Sequence, residues 1–380
     1  MKKFIYIASL CMLTGLTACA NEIETTTIKI ENQNIKIDKQ SQTENYLTIR
    51  TDGKEKIDLT WLKEKALYQF AAIADEQEYV IFLFAPDEQN RLSNENSTDG
   101  NKGDQLYTGH YTMFLAEKDA PFAYKQEVME GLGELTFNAS STQVYPINIG
   151  GETVLTMINS SSKPYFYGID SGEIKNIPMN EQILPIIGKE IKAINQKFIQ
   201  SVHLYGEKEW MFTTWKFDKE SMTFIKHDET VVKGNEGENW FNLWNEKKEY
   251  FFPFQNLELS SDVIDKAKQG IPLGSPYPIG TNIANIKKSD SKFLEEGTTY
   301  VMYPDITYYF DDATGIVNAV SIPGERMKTN LENIKKLFGE PAEEVNGKDG
   351  KRVIYQADKY RVELMINPDE SVESIYLRKK

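Results

Sequence analysis

Side chains able to do covalent, metal or acid–base chemistry are few in kind in this sequence. Cys11 and Cys19 are the two cysteines. Beyond Cys19 there is no thiol nucleophile, no Cys-x-x-Cys redox pair, no disulfide and no thiolate metal site. His110, His203 and His227 are the three histidines. They lie far apart, and none has a second His at the i, i+4 spacing of a zinc-binding helix. His203 and His227 fall in strand-like runs, where a hydrogen-bonded structural role is expected, so a metal enzyme or a Ser-His-Asp enzyme is disfavoured. The 57 Asp and Glu residues make some carboxylate pair inevitable, but no local pattern selects one for a glycan-hydrolase mechanism. Gly131/Gly133 and Gly150/Gly151 lack the strand–helix setting of a phosphate or dinucleotide loop. No catalytic residue, metal ligand or cofactor is therefore assigned.

Cys19 carries a different chemistry. Lys2 and Lys3 precede an apolar run from Phe4 to Leu13, and Leu16-Thr17-Ala18-Cys19 follows in the pattern of a bacterial lipobox. The apolar run is too short to span a bilayer, which takes ~20 residues. The expectation is a signal peptide over 1–18, cleavage between Ala18 and Cys19, and a lipid on Cys19. More than one acyl chain gives a persistent anchor, so the chain is expected at the extracytoplasmic face of a membrane. Its net charge of −14 repels phosphate backbones and anionic headgroups, which argues against nucleic acid as a partner. The lipid, not a basic patch, would supply membrane attachment.

Residues 19–45 are polar, with no Trp, Tyr or Phe until Tyr46, and read as a tether with a reach of about 30 Å as flexible coil. Residues 46–257 are rich in aromatic and β-branched residues and show three hairpin signatures. These are Phe70–Ile73 with Tyr79–Phe84, Val144–Ile149 with Val154–Ile158, and Val202–Tyr205 with Trp210–Trp215. Further strands are expected at Tyr111–Leu115, Tyr165–Ile169 and Thr223–Lys226. The fold class expected is a mostly β N-terminal domain, either propeller-like or a sandwich. In this part helices are expected only at Trp61–Phe70, which reads equally as a strand, and at Glu181–Phe198. Asp87–Asp104 is a polar excursion that misses the calcium-loop pattern and reads as a disordered loop.

Residues 258–380 contain a self-match. Thr281-Asn282-Ile283-Ala284-Asn285-Ile286-Lys287-Lys288 and Thr329-Asn330-Leu331-Glu332-Asn333-Ile334-Lys335-Lys336 share six of eight residues at an offset of 48. In the second copy Leu331, Ile334, Leu337 and Phe338 fall on one helical face, Thr329 with Glu332 suggests a capping box, and Gly339 with Pro341 supplies a stop. Three strand-like segments follow each helix, giving an α+β domain of two α-β-β-β units. The segment from Val263-Ile264-Asp265-Lys266-Ala267-Lys268-Gln269-Gly270-Ile271-Pro272-Leu273-Gly274 through Leu337-Phe338-Gly339-Glu340-Pro341 resembles the C-terminal domain of the YjgB family of Gram-positive lipoproteins, whose function is uncharacterised. The unit order is also similar to the β-lactamase-inhibitor-protein fold, a likeness of fold alone.

Function is approached through the tyrosines. Tyr300, Tyr303, Tyr308, Tyr309, Tyr355 and Tyr360 form the expected binding face, because aromatic anchors give large contact area at low entropic cost. The sequence leads to a lipid-anchored envelope protein, a non-catalytic adaptor for an exported protein or cell-wall component. A carboxylate-dependent envelope hydrolase and an inhibitor of a secreted enzyme are the alternatives.

Overall fold

Strands far outweigh helices in the computed structural model, which describes residues 55–188, 190–348 and 350–380. The expected signal peptide, the Ala18/Cys19 cleavage and lipid site, and the tether lie outside the described residues. In chain order the N-terminal part runs β1 (Lys56–Asp58), α1 (Leu59–Lys65), β2 (Tyr68–Ala74), β3 (Gln77–Phe84), β4 (Gln89–Leu92), β5 (Gln105–Gly109), β6 (Thr112–Glu117), β7 (Phe122–Gln126) and β8 (Leu135–Asn138). It continues with β9 (Val144–Ile149), β10 (Glu152–Ile158), β11 (Pro164–Asp170), β12 (Glu173–Asn176), β13 (Lys192–Ile194), β14 (Phe198–Leu204), β15 (Glu209–Asp218), β16 (Thr223–Lys233) and α2 (Gly234–Glu246).

The three expected hairpins form as β2–β3, β9–β10 and β14–β15. They sit in separate antiparallel sheets ordered β1-β7-β6-β3-β2, β12-β11-β10-β9 and β13-β14-β15-β16, with a small β4-β5-β8 sheet beside them. The described chain is mostly β, with several antiparallel sheets and no closed barrel. Period-2 alternation explains how the middle sheet is used twice. Every residue of β10 is buried. Leu155 and Met157 join Phe70, Ile81 and Tyr167 in one core, while Val154 and Ile158 join Ile199, Trp215 and Phe224 in the next.

Local expectations failed at four places. The helix expected over Trp61–Phe70 ends at Lys65, because Ala66 turns extended and Phe70 belongs to β2. The described residues of Glu181–Phe198 form no helix; Pro185 and Gly188 interrupt the pattern, and Ile183, Ile186 and Ile191 reach the core from an irregular path leading into β13. α2 was hidden by Gly234 and Gly237, which read as a loop. A Cβ on Gly237 would sit 2.4 Å from the Val232 carbonyl oxygen and 2.6 Å from the Trp210 ring, so glycine is what lets α2 lie on its sheet. Asp87–Asp104 is ordered around β4: Asp104 Oδ2 accepts from Asn101 N (2.8 Å) and Asn138 Nδ2 (2.7 Å), and Asn96 Oδ1 accepts from Lys102 N (2.9 Å).

The C-terminal part runs α3 (Val263–Lys268), α4 (Ile283–Ser289), β17 (Glu295–Glu296), β18 (Tyr300–Tyr303), β19 (Ile306–Phe310), β20 (Val317–Pro323), α5 (Leu331–Phe338), β21 (Glu343–Gly347), β22 (Gly350–Ala357), β23 (Tyr360–Ile366) and β24 (Val372–Lys379). The self-matching segments become α4 and α5, each followed by four strands rather than three, since short β17 and exposed β21 precede the expected ones. All eight strands make one antiparallel sheet, ordered β17-β18-β19-β20-β24-β23-β22-β21. The cap of α5 is Asn330, which accepts from Asn333 N (2.9 Å), not the expected Thr329–Glu332 box; Asn282 caps α4 in the same way through Ala284 N (2.9 Å). Leu331 and Ile334 are buried as expected, whereas Leu337 is exposed. Helix residues Ala267, Ile283, Ile286, Leu331 and Ile334 share one core with Tyr308, Val320, Val362 and Leu377, so the described helices of this part lie on one face of the sheet.

The two parts touch through polar contacts. Lys328 Nζ reaches the buried Asp228 carboxylate and the Glu229 carbonyl (3.0 Å), and the Arg326 carbonyl accepts from Asn256 N and Leu257 N (both 3.0 Å).

Candidate functional site: the open face of the C-terminal sheet

Sheet register decides which tyrosines can meet a partner. Tyr303, Tyr308, Tyr355 and Tyr360 point into the helix-covered core and are 3–6% exposed, so they are not part of the open face and that expectation is corrected. Their hydroxyls serve the fold instead. Tyr303 OH donates to the Asp290 carbonyl at the end of α4 (2.8 Å), and Tyr355 OH donates to the Gly339 carbonyl at the end of α5 (3.1 Å). Each satisfies a helix-terminal carbonyl that would otherwise be orphaned. Tyr308 shares a hydrogen bond with Ser275 Oγ (3.0 Å), and burial pushes its phenol up to about 12.

Tyr300 and Tyr309 take the opposite pleat and are half-buried. They head a row that crosses the sheet by register: Tyr300 pairs with Tyr309, Tyr309 with Ala319, Ala319 with Arg378, and Arg378 with Arg361. The next row contains Met302, Thr307, Ser321, Tyr376, Glu363 and Ile354. Ring centroids of Tyr300 and Tyr309 lie 6.5 Å apart and those of Tyr309 and Tyr376 6.4 Å apart. The Arg378 guanidinium stands 4.5 Å above the Tyr376 ring. At the edge the Tyr300 hydroxyl donates to Glu295, which pushes its phenol above the ordinary value. Small residues Ala319 and Ser321 make the floor between these taller side chains, both buried.

Glu363 sits in the middle with a side chain only 6% exposed, pairing with Arg361 Nε and with Arg378 Nε (3.3 Å). Both Nε atoms are buried, although their alignment to the carboxylate falls short of hydrogen-bond geometry. The ion pairing is therefore mainly charge attraction, which tolerates poorer angles. Sequence reading missed these three charges, because alternating Arg and Glu on a strand reads as an ordinary solvated face.

Other candidate chemistry is tied up in structure. His203 Nδ1 donates to the Pro185 carbonyl (2.9 Å) and Nε2 accepts from Ser201 Oγ (2.9 Å), a serine–histidine pair that sequence spacing did not reveal. Both residues are at most 1% exposed, so no substrate reaches Ser201. His227 Nε2 donates to the Gln255 carbonyl, and exposed His110 bonds Asp87, which raises the histidine pKa and lowers that of the aspartate. A cleft of about 160 Å³ between the two parts is lined by Lys192, Tyr250, Asp290 and Asp305. There the Lys192 ammonium donates to the Tyr250 carbonyl (2.8 Å) and lies 4.7 Å over the Trp244 ring. Among the described residues no group of three His, Cys, Asp or Glu side chains is placed to hold a metal, and no helix is long and apolar enough to cross a membrane.

The sheet that carries this face also carries the family signal. Residues 260–377 match DUF4309, a domain of unknown function. Two solved structures are also similar to part of the chain. A DUF4309 family protein (YjgB) from Bacillus subtilis is 12% identical, with a TM-score of 0.28 over 32% of this chain and 98% of that one. A type IV secretion system related protein from Xanthomonas is 11% identical, with a TM-score of 0.29 over 42% of this chain and 81% of that one. No curated protein matches the chain.

Proposed function

We propose that this chain is a non-catalytic binding module of the cell envelope, held at the extracytoplasmic membrane face by a lipid on Cys19 and recognising an exported protein or a wall component. The observation that carries the reading is the row Tyr300, Tyr309, Arg378 and Arg361 on a sheet face left uncovered by α3, α4 and α5. Tyrosine and arginine are the residue types that most often dominate binding energy, and here they stand on strands rather than loops, which presents them in a fixed arrangement.

Two finer readings of architecture accompany it. Three successive antiparallel sheets, the second and third of them simple meanders and each sharing a core with the next, support a partial propeller for the N-terminal part. The six-of-eight self-match, together with the equivalent work of Tyr303 and Tyr355 at the ends of α4 and α5, supports two copies of one α-β unit for the C-terminal part.

The test is in-cell photocrosslinking of the full chain from position 302, in the wild type and in Tyr309→Ala/Tyr376→Ala. Partner recovery should fall about tenfold in the double variant with an unchanged circular dichroism spectrum. Equal recovery from both would remove this face as the binding surface.

A further inference from the structure

The charge on the open face runs against the charge of the molecule. The chain holds 57 acids against 43 lysines and arginines, and six of those bases are arginine. Three of the six, Arg352, Arg361 and Arg378, stand on adjacent strands β22, β23 and β24 of one sheet face. On those strands the buried acid on this face is Glu363, with exposed Glu373 at the bulge near the start of β24; Glu295 and Glu343 belong to the outermost strands, and Glu295 is already engaged by the Tyr300 hydroxyl. A chain that uses lysine for most of its positive charge has placed half its arginines here. Arginine differs from lysine by its planar fork, which matches a carboxylate in a bidentate way.

Glu363 makes the arrangement a receptor rather than a scatter of charges. It draws in the Nε side of two guanidinium groups, Arg361 two residues away on its own strand and Arg378 on the neighbouring β24, and both Nε atoms are buried. The exposure that Arg361 and Arg378 retain, 40% and 38% of each side chain, then belongs to the rest of each group, with the terminal nitrogens available as donors. One buried carboxylate thus holds two cationic forks side by side, so a ligand does not bear the ordering of two long side chains. Tyr376 beneath Arg378, and Tyr309 and Met302 beyond it, continue the face as apolar contact area.

We propose that Arg352, Arg361 and Arg378 form a receptor for side-chain carboxylates on an acidic polypeptide, with the tyrosine row taking that polypeptide's apolar side chains. The proposal rests on the binding-module reading and names the partner's chemistry. An acidic polypeptide is favoured over a phosphate polymer because the tyrosine and methionine surface beside the arginines is wasted on a polyol-phosphate chain.

The experiment uses the full chain and two probes of matched charge, poly-L-glutamate and inorganic polyphosphate. Poly-L-glutamate should bind, and Arg361→Lys/Arg378→Lys, which keeps the charge and removes the fork, should weaken it about tenfold or more. Glu363→Gln should weaken it as well, with circular dichroism verifying the fold. Unchanged affinity in the lysine variant reduces the site to diffuse charge and overturns the proposal, and tighter binding of polyphosphate overturns it in favour of phosphate. If poly-L-glutamate fails to bind while crosslinking from position 302 still recovers a partner, the carboxylate receptor is wrong and the binding face stands. If both fail, both readings fall.

Discussion

Protonating His203 costs the fold more than protonating an exposed imidazole, because its ring is buried among β14 and the Pro185 carbonyl with its Nε2 lone pair already used by Ser201. Burial holds its pKa below the ordinary 6.5, with the Pro185 hydrogen bond working the other way. The unfolded chain takes up a proton that the folded chain refuses, so this part of the stability is intact above about pH 6.5 and is lost as pH falls below it. Exposed His110 has the opposite sign: Asp87 raises its pKa, and what it adds is present at low pH and fades as pH rises. Urea midpoints measured at about pH 7.5 and 5.5 should therefore fall more steeply for wild type than for His203→Gln; parallel slopes would remove His203 as the cause. The tyrosines teach the matching lesson about reading. Composition and strand propensity located Tyr308 and Tyr309, but a strand's two faces are interchangeable until the helices choose one. The helices took Tyr308, so four of the six expected binding tyrosines went to the core. Arg361 and Glu363 were unreadable for the same reason, since their meaning depends on Arg378, a neighbour across the register.

Helix and strand boundaries in the C-terminal part followed from short-range signals, and the misses elsewhere came from long-range packing. Asn330 and Gly339, nine residues apart, bound α5; the glycine stop is legible in one dimension, whereas the cap reads one residue early, at Thr329. Gly237 is a glycine because of Trp210 and Val232, which no window over α2 can see. Gly324 is the same kind of residue. It follows β20, and a Cβ there would lie 1.7 Å from the Val372 carbonyl oxygen on β24 and 2.5 Å from its carbonyl carbon. Because the obstacle is backbone at the sheet's centre, Gly324→Ala should cost roughly 3 kcal/mol, read as a lower urea midpoint. A midpoint within error of wild type would mean that β20 and β24 separate more easily than their pairing implies.

At the scale of the molecule, the sequence placed three hairpins correctly but could not show how their sheets share cores, since β10 feeds two cores only once its neighbours are known. The proposed anchor is tested at this scale too. Cys19→Ala should move the protein from the membrane fraction to the medium, and retention after detergent-free washing would refute the lipid. One feature of the sheet bears on how such a protein is made. β24, residues 372–379, lies between β20 and β23 and is the strand that joins the two four-stranded sets. As the chain emerges, the first set waits with the β20 edge bare, while the second lacks its inner strand until residue 379 is out. A ribosome that stalls, or a protease that trims, within those eight residues leaves two half-sheets with exposed edges, the geometry that invites strand addition by another copy. β24 is thus the strand on which the union of the two four-stranded sets depends.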